Sequence, residues 1–293
     1  MTILAIDIGG TKVRAGLVDE NSTSLVRTIA TAPGPGETSI MPSILRLVGE
    51  YSGYSSIAVA SAGVISEGRV VSATDLIPHW AGTDIAGELA VTGVPVSVLG
   101  DVHAHGLGEA VYGAARGHHS SLTVGVGTGI GGAYVSHDGP MVGAHGVAGH
   151  IGHVSHADAR DLTCSCGRTG HIEPLSSGTG MVEAYERLTG ELVSGRELDQ
   201  RAENGDQSAI SVLSGGGFAL GDVLGSLANT LDPGIIVISG SVSRSAAFWW
   251  PSLIAGYRSS AMDPVSATPL VRGELGDDAP LLGAASYAKV FHA

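Results

Sequence analysis

The chain has 293 residues with 28 acidic against 15 basic side chains, a formal charge of −13, which excludes nucleic acid and anionic membranes as general partners. Apolar residues make up 43% and charged ones 15%, enough for a sizeable core, while 4% aromatics mean that the core rests on Val, Ile, Leu and Ala. At about 150 residues per domain the length favours two packed domains. No run approaches the roughly 18 apolar residues of a membrane span, and MTILAIDIGG has no basic region ahead of an apolar one, so the expected location is the cytoplasm.

Thr2 to Ile8 is a β-branched run that breaks at Gly9-Gly10 before a second apolar run, Val13 to Val18, which together predict a hairpin. Its turn is phosphate-sized. Gly9 and Gly10 let backbone N–H groups face an anion, Thr11 and Lys12 add a hydroxyl and an ammonium, and Asp7 can hold a hydrated Mg²⁺. A plain hairpin in which Asp7 caps the turn fits the same residues. A strand first in the chain leaves no room for a preceding helix-turn-helix, so a DNA-binding repressor is not expected.

Ala32 to Glu37, APGPGE, reads as a loop, and Thr38 to Glu50 as a helix through Ile40, Ile44, Leu45 and Val48. Ser56 to Ala62 is a buried strand, Val64 to Val71 a hairpin over Glu67-Gly68, Trp80 to Leu89 a loop entering a helix, and Val94 to Leu99 a strand that stops at Gly100-Asp101. Strands alternating with helices give α/β. Asp101 stands at a strand's carboxyl end before a helix through His105 to Gly113, where a carboxylate can take a proton from an attacking hydroxyl. An aspartate capping the helix explains it equally well.

Ser120 to Tyr134 is two strands around a second glycine turn with a hydroxyl, Thr128. Two such turns, about 120 residues apart, suggest a phosphate chain gripped between related halves. Neither is a P-loop, and GVGTGIGG continues as strand, which argues against a dinucleotide fingerprint.

Residues 149–173 hold both cysteines, Cys164 and Cys166, among His150, His153, His156 and His171. Sulfur and imidazole donors on one short loop predict a closed structural zinc site of His153, Cys164, Cys166 and His171. Free thiols are the plain alternative, and a disulfide at that spacing is the poorer one. Beyond it come helices at Met181 to Leu188 and Leu198 to Asn204. A third spans Asp206 to Thr230, with Gly215-Gly216-Gly217 expected to weaken or kink its middle. Ile235 to Ile238 is a strand ending at Gly240, a turn that could lie against a base or ribose, and Leu281 to Phe291 is an Ala-rich closing helix.

AIDIGGTK, LGD at Asp101, GVGTGIGG, AGHIGH, CSCGRTGHIE and VISGSVS together resemble the ROK family of sugar kinases, nearly end to end. The resemblance implies an actin-like ATPase (ribonuclease H-like) α/β fold with two lobes around a central cleft. A small lobe would span 1–112, with a closing helix at about 281–293 packing back on it, and a larger lobe with the zinc loop 113–280. It also implies that Asp7, Gly9, Gly10, Thr11 and Lys12 handle Mg·ATP, with Thr128 and Gly129 as the second phosphate contact and Gly240 near the adenosine. Asp101 matches the catalytic base, and Gly63, Asp101, His150, His153 and Glu173 match sugar-binding positions. ATP, Mg²⁺ and structural Zn²⁺ are the implied cofactors, and a homodimer the implied assembly, with no nucleic acid or membrane partner.

Three departures stand out: Gly100 where the family has Asn, His171 for a third cysteine, and His150 where hexose kinases read GEIGH. Histidine suits an acetamido group or an axial hydroxyl, which favours 6-phosphorylation of N-acetyl-D-mannosamine over glucose or another hexose or N-acetylhexosamine. A sugar-binding sensor without catalysis is the competing class.

Overall fold

The structure, a computed structural model, describes residues 2–19, 22–32, 38–73, 77–245 and 247–291, with the backbone only at Val290 and Phe291. Most of the expected 32–37 loop lies outside the described residues.

β1 (Ile3–Ile8) pairs antiparallel with β2 (Lys12–Asp19), Ile8 opposite Val13, so the turn between them is as tight as the glycines allow. β3 (Ser22–Ala30) adds an exposed edge to β2. α1 (Met41–Val48) has a proline, Pro42, in its first turn and buries Met41, Ile44, Leu47 and Val48. β4 (Ser56–Ser61), buried at every position, runs parallel to β1. β5 (Val64–Ser66) and β6 (Arg69–Ser72) form the small hairpin. α2 (Ile85–Leu89) is capped by Asp84, β7 (Val96–Gly100) runs parallel to β4, and α3 (Asp101–Tyr112) follows directly. The sheet order is β3-β2-β1-β4-β7.

A second sheet repeats that order. β8 (Ser120–Val126) and β9 (Ile130–Ser136) are followed by β10 (Gly139–Pro140), then by α4 (Glu173–Ser176), α5 (Gly178–Thr189), α6 (Gly195–Glu203) and α7 (Gln207–Leu231). β11 (Ile236–Ser239), α8 (Trp249–Ser260), β12 (Leu270–Arg272) and α9 (Ala279–Phe291) complete the chain. The strands lie β10-β9-β8-β11-β12, with β8, β11 and β12 parallel.

Residue contacts gather the chain into two compact units, one of 1–121, 133–149 and 273–293 and the other of 122–132 and 150–272. Compared with a boundary at 112/113, residues 113–121, 133–149 and 273–280 therefore cluster with the first unit. The physical reason is local: Ala133 and Val135 share a small core with Leu107, and Glu109 accepts from the Glu274 and Leu275 amides at 3.2 and 3.0 Å.

In the first unit, strand alternation splits β1 between two cores. Leu4, Ile6 and Ile8 pack with Ile44, Val59 and Trp80, whereas Ile3 and Ala5 pack with Leu281, Ala284, Ala285 and Ala288 of α9. In the second unit α7 runs unbroken through Gly215-Gly216-Gly217. Two of the three are contact surface: a Cβ at Gly216 would meet Met181 Sδ at 2.7 Å and one at Gly217 would press on the Trp249 carbonyl, while Gly215 faces open space; Gly221, Gly225 and Gly256 also sit where one helix touches the other's backbone. Close helix packing offsets the roughly 1 kcal/mol that each helical glycine costs relative to alanine.

Candidate active site

In the first unit, the parallel strands β1, β4 and β7 end side by side, the edge at which open α/β sheets take ligands. Asp7 is the next-to-last residue of β1, and Asp101 follows β7. The cap of α3 is Gly100, and Asp101 is the first helical residue, its Oδ1 accepting from the Val102 amide at 2.8 Å. The capping-aspartate reading is thereby corrected. Burial pushes the Asp101 carboxyl up to about 6. Burial, and then the charge of Asp101, push Asp7 up to about 7, against the pull of Arg14 and Lys12. Carboxyls whose burial disfavours ionisation suit a cation or a transferable proton, so Asp7 fits the magnesium expected beside a nucleotide.

The β1–β2 turn closes on itself, Gly9 N–H donating to Lys12 O at 3.0 Å and Thr31 Oγ1 to Gly9 O at 2.9 Å, with Thr11 exposed. Gly10 completes it. Lys12 Nζ lies 2.5 Å from Asp277 Oδ2, and Arg14 donates to Asp278 Oδ1 at 2.8 Å. The Lys12 pair is solvent-exposed, weak enough for the ammonium to exchange partners. After β4 comes Gly63, at φ +98°, where a Cβ would meet Ser72 O at 2.7 Å.

Two histidines of α3 join this group unforeseen. His105 is one turn beyond Asp101 on the same helix face, and its Nε2 is buried with no hydrogen-bond partner among the described residues. Burial lowers its basicity. His103 is buried too, its Nε2 2.8 Å from Ala148 O.

The second unit places the β8–β9 turn on other support. Gly127 N–H donates to Gly129 O at 3.0 Å, Gly178 N–H to Gly127 O at 2.7 Å, and Ile130 N–H to Glu173 Oε2 at 3.0 Å. A Cβ on Gly129 would fall 2.6 Å from Glu173 Oε2, so the turn needs glycine for space. Thr128 is exposed. Gly240, at φ +87°, lies against the Val126 backbone, and beyond it a hollow of about 380 Å³ is lined by Gly178, Asp199, Arg196, Ser241 and Arg244. Arg196 and Asp199 are far from Gly240 in sequence, which hid them, whereas Arg244 is only four residues on.

Four metal donors also meet in this unit. One ligand atom from each of His153, Cys164, Cys166 and His171 lies within 4.8 Å of the others. Cys164 Sγ is 3.4 Å from His153 Nδ1, and Cys166 Sγ is 3.3 Å from His171 Nδ1. A tetrahedral zinc with usual bond lengths needs sulfur–nitrogen edges of about 3.6 Å, so the donor set fits that ion. Burial raises the Cys164 thiol and, as the largest cause, lowers His153, which keeps the imidazole neutral and able to coordinate. The loop is shaped by short-range bonds, Cys164 N–H to Arg168 O at 2.8 Å and Gly167 N–H to Cys164 O at 2.9 Å.

Glu173 joins the two features, since Oε1 accepts from Ser165 Oγ at 2.6 Å while Oε2 holds the glycine turn. His150 stacks on His153 with centroids 6.1 Å apart, and its Nδ1 is buried without a hydrogen-bond partner among the described residues. The structure thus gathers Asp7, Gly9–Lys12, Gly63 and Asp101 in the first unit, and Thr128, Gly129, Gly240, His150, Glu173 and the metal quartet in the second.

The sequence profile of the ROK family matches residues 3–290. An N-acetylmannosamine kinase of Shigella flexneri is 32% identical over 304 aligned positions, covering 99% of each chain. A ROK hexokinase from Thermus thermophilus superposes with a TM-score of 0.89 at 29% identity over 100% of both chains. A ROK family glucokinase from Streptomyces griseus, in complex with glucose and AMPPNP, superposes with a TM-score of 0.83 at 26% identity, over 99% of this chain and 100% of that one.

Proposed function

The chain belongs to the ROK family, with its actin-like ATPase fold, and from that premise we propose that it is an ATP-dependent kinase for the 6-hydroxyl of N-acetyl-D-mannosamine. The observation that carries the reading is the buried pair Asp7 and Asp101 at the ends of β1 and β7, the parallel strands on either side of β4. Asp101 takes the proton of the sugar 6-hydroxyl as that oxygen attacks the γ-phosphorus, and ADP leaves with the electrons of the broken phosphoanhydride bond. Its raised pKa brings it near the operating pH, where a general base both stays ionised and accepts a proton readily.

The β1–β2 turn, Gly9 to Lys12, and the β8–β9 turn, Thr128 and Gly129, offer N–H groups, hydroxyls and one ammonium to the phosphates. The hollow beside Gly240 receives the adenosine, with Arg196, Arg244 and Asp199 as polar contacts. Magnesium, held through Asp7, supplies charge neutralisation on the phosphates. Zinc, held by His153, Cys164, Cys166 and His171, keeps the loop shaped, while His150, Glu173 and the remaining nitrogen of His153 are offered to the sugar with Gly63.

N-acetyl-D-mannosamine is preferred because of the 32% identical relative and because His150 offers one donor and one acceptor where a carboxylate only accepts. Glucose or another hexose is the second reading, supported by the likeness to the Thermus hexokinase. Coupled ADP release over N-acetylmannosamine, N-acetylglucosamine, glucose, mannose and fructose tests both. Turnover is expected fastest on N-acetylmannosamine; a faster hexose establishes the second reading, and sugar binding with no turnover establishes a sensor.

A further inference from the structure

The backbone of Gly100 does not call for glycine. Its φ of −61° and ψ of 143° are extended values open to any residue, and it caps α3, a position that favours Asn, Asp or Ser. Space is what forbids a side chain: a Cβ on residue 100 would lie 2.9 Å from His103 Nδ1 and 3.8 Å from Gly63 O. The ring is not free to swing away, because His103 is only 3% exposed and Nε2 is fastened to Ala148 O at 2.8 Å. A carbonyl oxygen can only accept, so Nε2 carries the proton, and in the neutral ring the nitrogen turned toward residue 100 is the unprotonated one.

Both ends of this contact are close in the chain to groups assigned to the sugar. Asp101 follows Gly100, and Ala148 stands two residues before His150. We propose that Gly100 and His103 form one positioning element for the sugar: the imidazole, admitted by the missing side chain, ties the first turn of α3 behind Asp101 to the segment that runs into His150 and His153. This rests on the sugar-kinase reading and deepens it. A side chain at residue 100 and an imidazole at residue 103 are alternatives, and a chain with both loses sugar recognition although the new side chain would cap the helix.

The test is a cycle of His103→Ala, Gly100→Asn and the double variant, with His103→Gln beside it, read by sugar and ATP saturation curves and by thermal unfolding. His103→Ala is expected to raise the KM for N-acetylmannosamine about tenfold while the KM for ATP stays within about twofold, as for loss of one buried hydrogen bond on the sugar side. His103→Gln, whose amide can donate to the same carbonyl, should recover most of the loss. Gly100→Asn alone should lower kcat/KM for the sugar at least about tenfold and unfold at lower temperature, and removing the imidazole from that variant should restore part of both. Additive effects, or sugar and ATP constants rising together in His103→Ala, overturn the inference. Failure of the unaltered chain to phosphorylate any sugar overturns the kinase reading instead, and the unfolding cycle then still decides whether the two residues exclude each other.

Discussion

The β1–β2 turn and the β8–β9 turn stand at the same place in two sheets of one strand order, yet their surroundings differ in charge. The next-to-last residue of the strand before the turn is Asp7 in β1 and Gly125 in β8. The residue after the outermost parallel strand is Asp101 in the first sheet and Gly273 in the second. The first sheet therefore concentrates buried carboxylates at its strand ends, whereas the second presents backbone donors braced from beneath by Glu173. A repeated fold supplies two equivalent turns, and single substitutions beside them decide which handles protons and cations and which an uncharged grip.

The sharpest break in that comparison is Asp101→Asn. It keeps the shape and removes the base, so kcat should fall by about 10²–10⁴-fold while sugar binding, measured by calorimetry, remains. Nearly unchanged turnover would remove Asp101 from the chemistry. Next in size, Cys164→Ser should abolish the metal content, expected at close to one zinc per chain by elemental analysis of the unaltered protein. It should also raise the sugar KM more than about tenfold. An active protein without zinc would leave the second unit's loop with no need of an ion.

Glu173→Gln removes the charge that braces the second turn, at a cost of about 1.5–3 kcal/mol for hydrogen bonds to a charged group. Weaker binding of both sugar and ATP is the expected readout, because its two oxygens hold different features. The smallest effects concern pH. A group held near 6 when folded against 3.8 otherwise makes the folded state bind the extra proton between those values, so ionised Asp101 costs stability above pH 6 and nothing below about 4. Moving this group from 3.8 to about 6 corresponds to roughly 3 kcal/mol, so Asp101→Asn should raise Tm by several degrees at pH 8 and not at pH 4. In the unaltered enzyme, kcat/KM should decline on the acid side with an apparent pKa near 6.

Parts of this arrangement are legible in the sequence because they are local. Alternation and flanking glycines mark β1, β2 and β4, and Cys-x-Cys spacing marks two of the four metal donors. β3 escapes notice because its residues are mostly exposed and show no buried face, and α8 because its apolar residues follow no clean stripe. The glycines of α7 mislead for a related reason. In isolation they read as weakness, and only the backbone of α8 pressed against Gly217, Gly221 and Gly225 shows that these three are contact surface.

The sequence by itself determines the α/β alternation, the two glycine turns, the thiol and imidazole set and the family to which the chain belongs, since each depends on neighbours within a few residues or on motifs in order. Tertiary structure alone decides that Asp101 begins a helix without capping it and that Asp7 and Asp101 raise their affinity for protons in a shared buried edge. Electrostatic fields and packing volumes act through space, between residues as far apart in the chain as 7 and 101, and no local pattern records them.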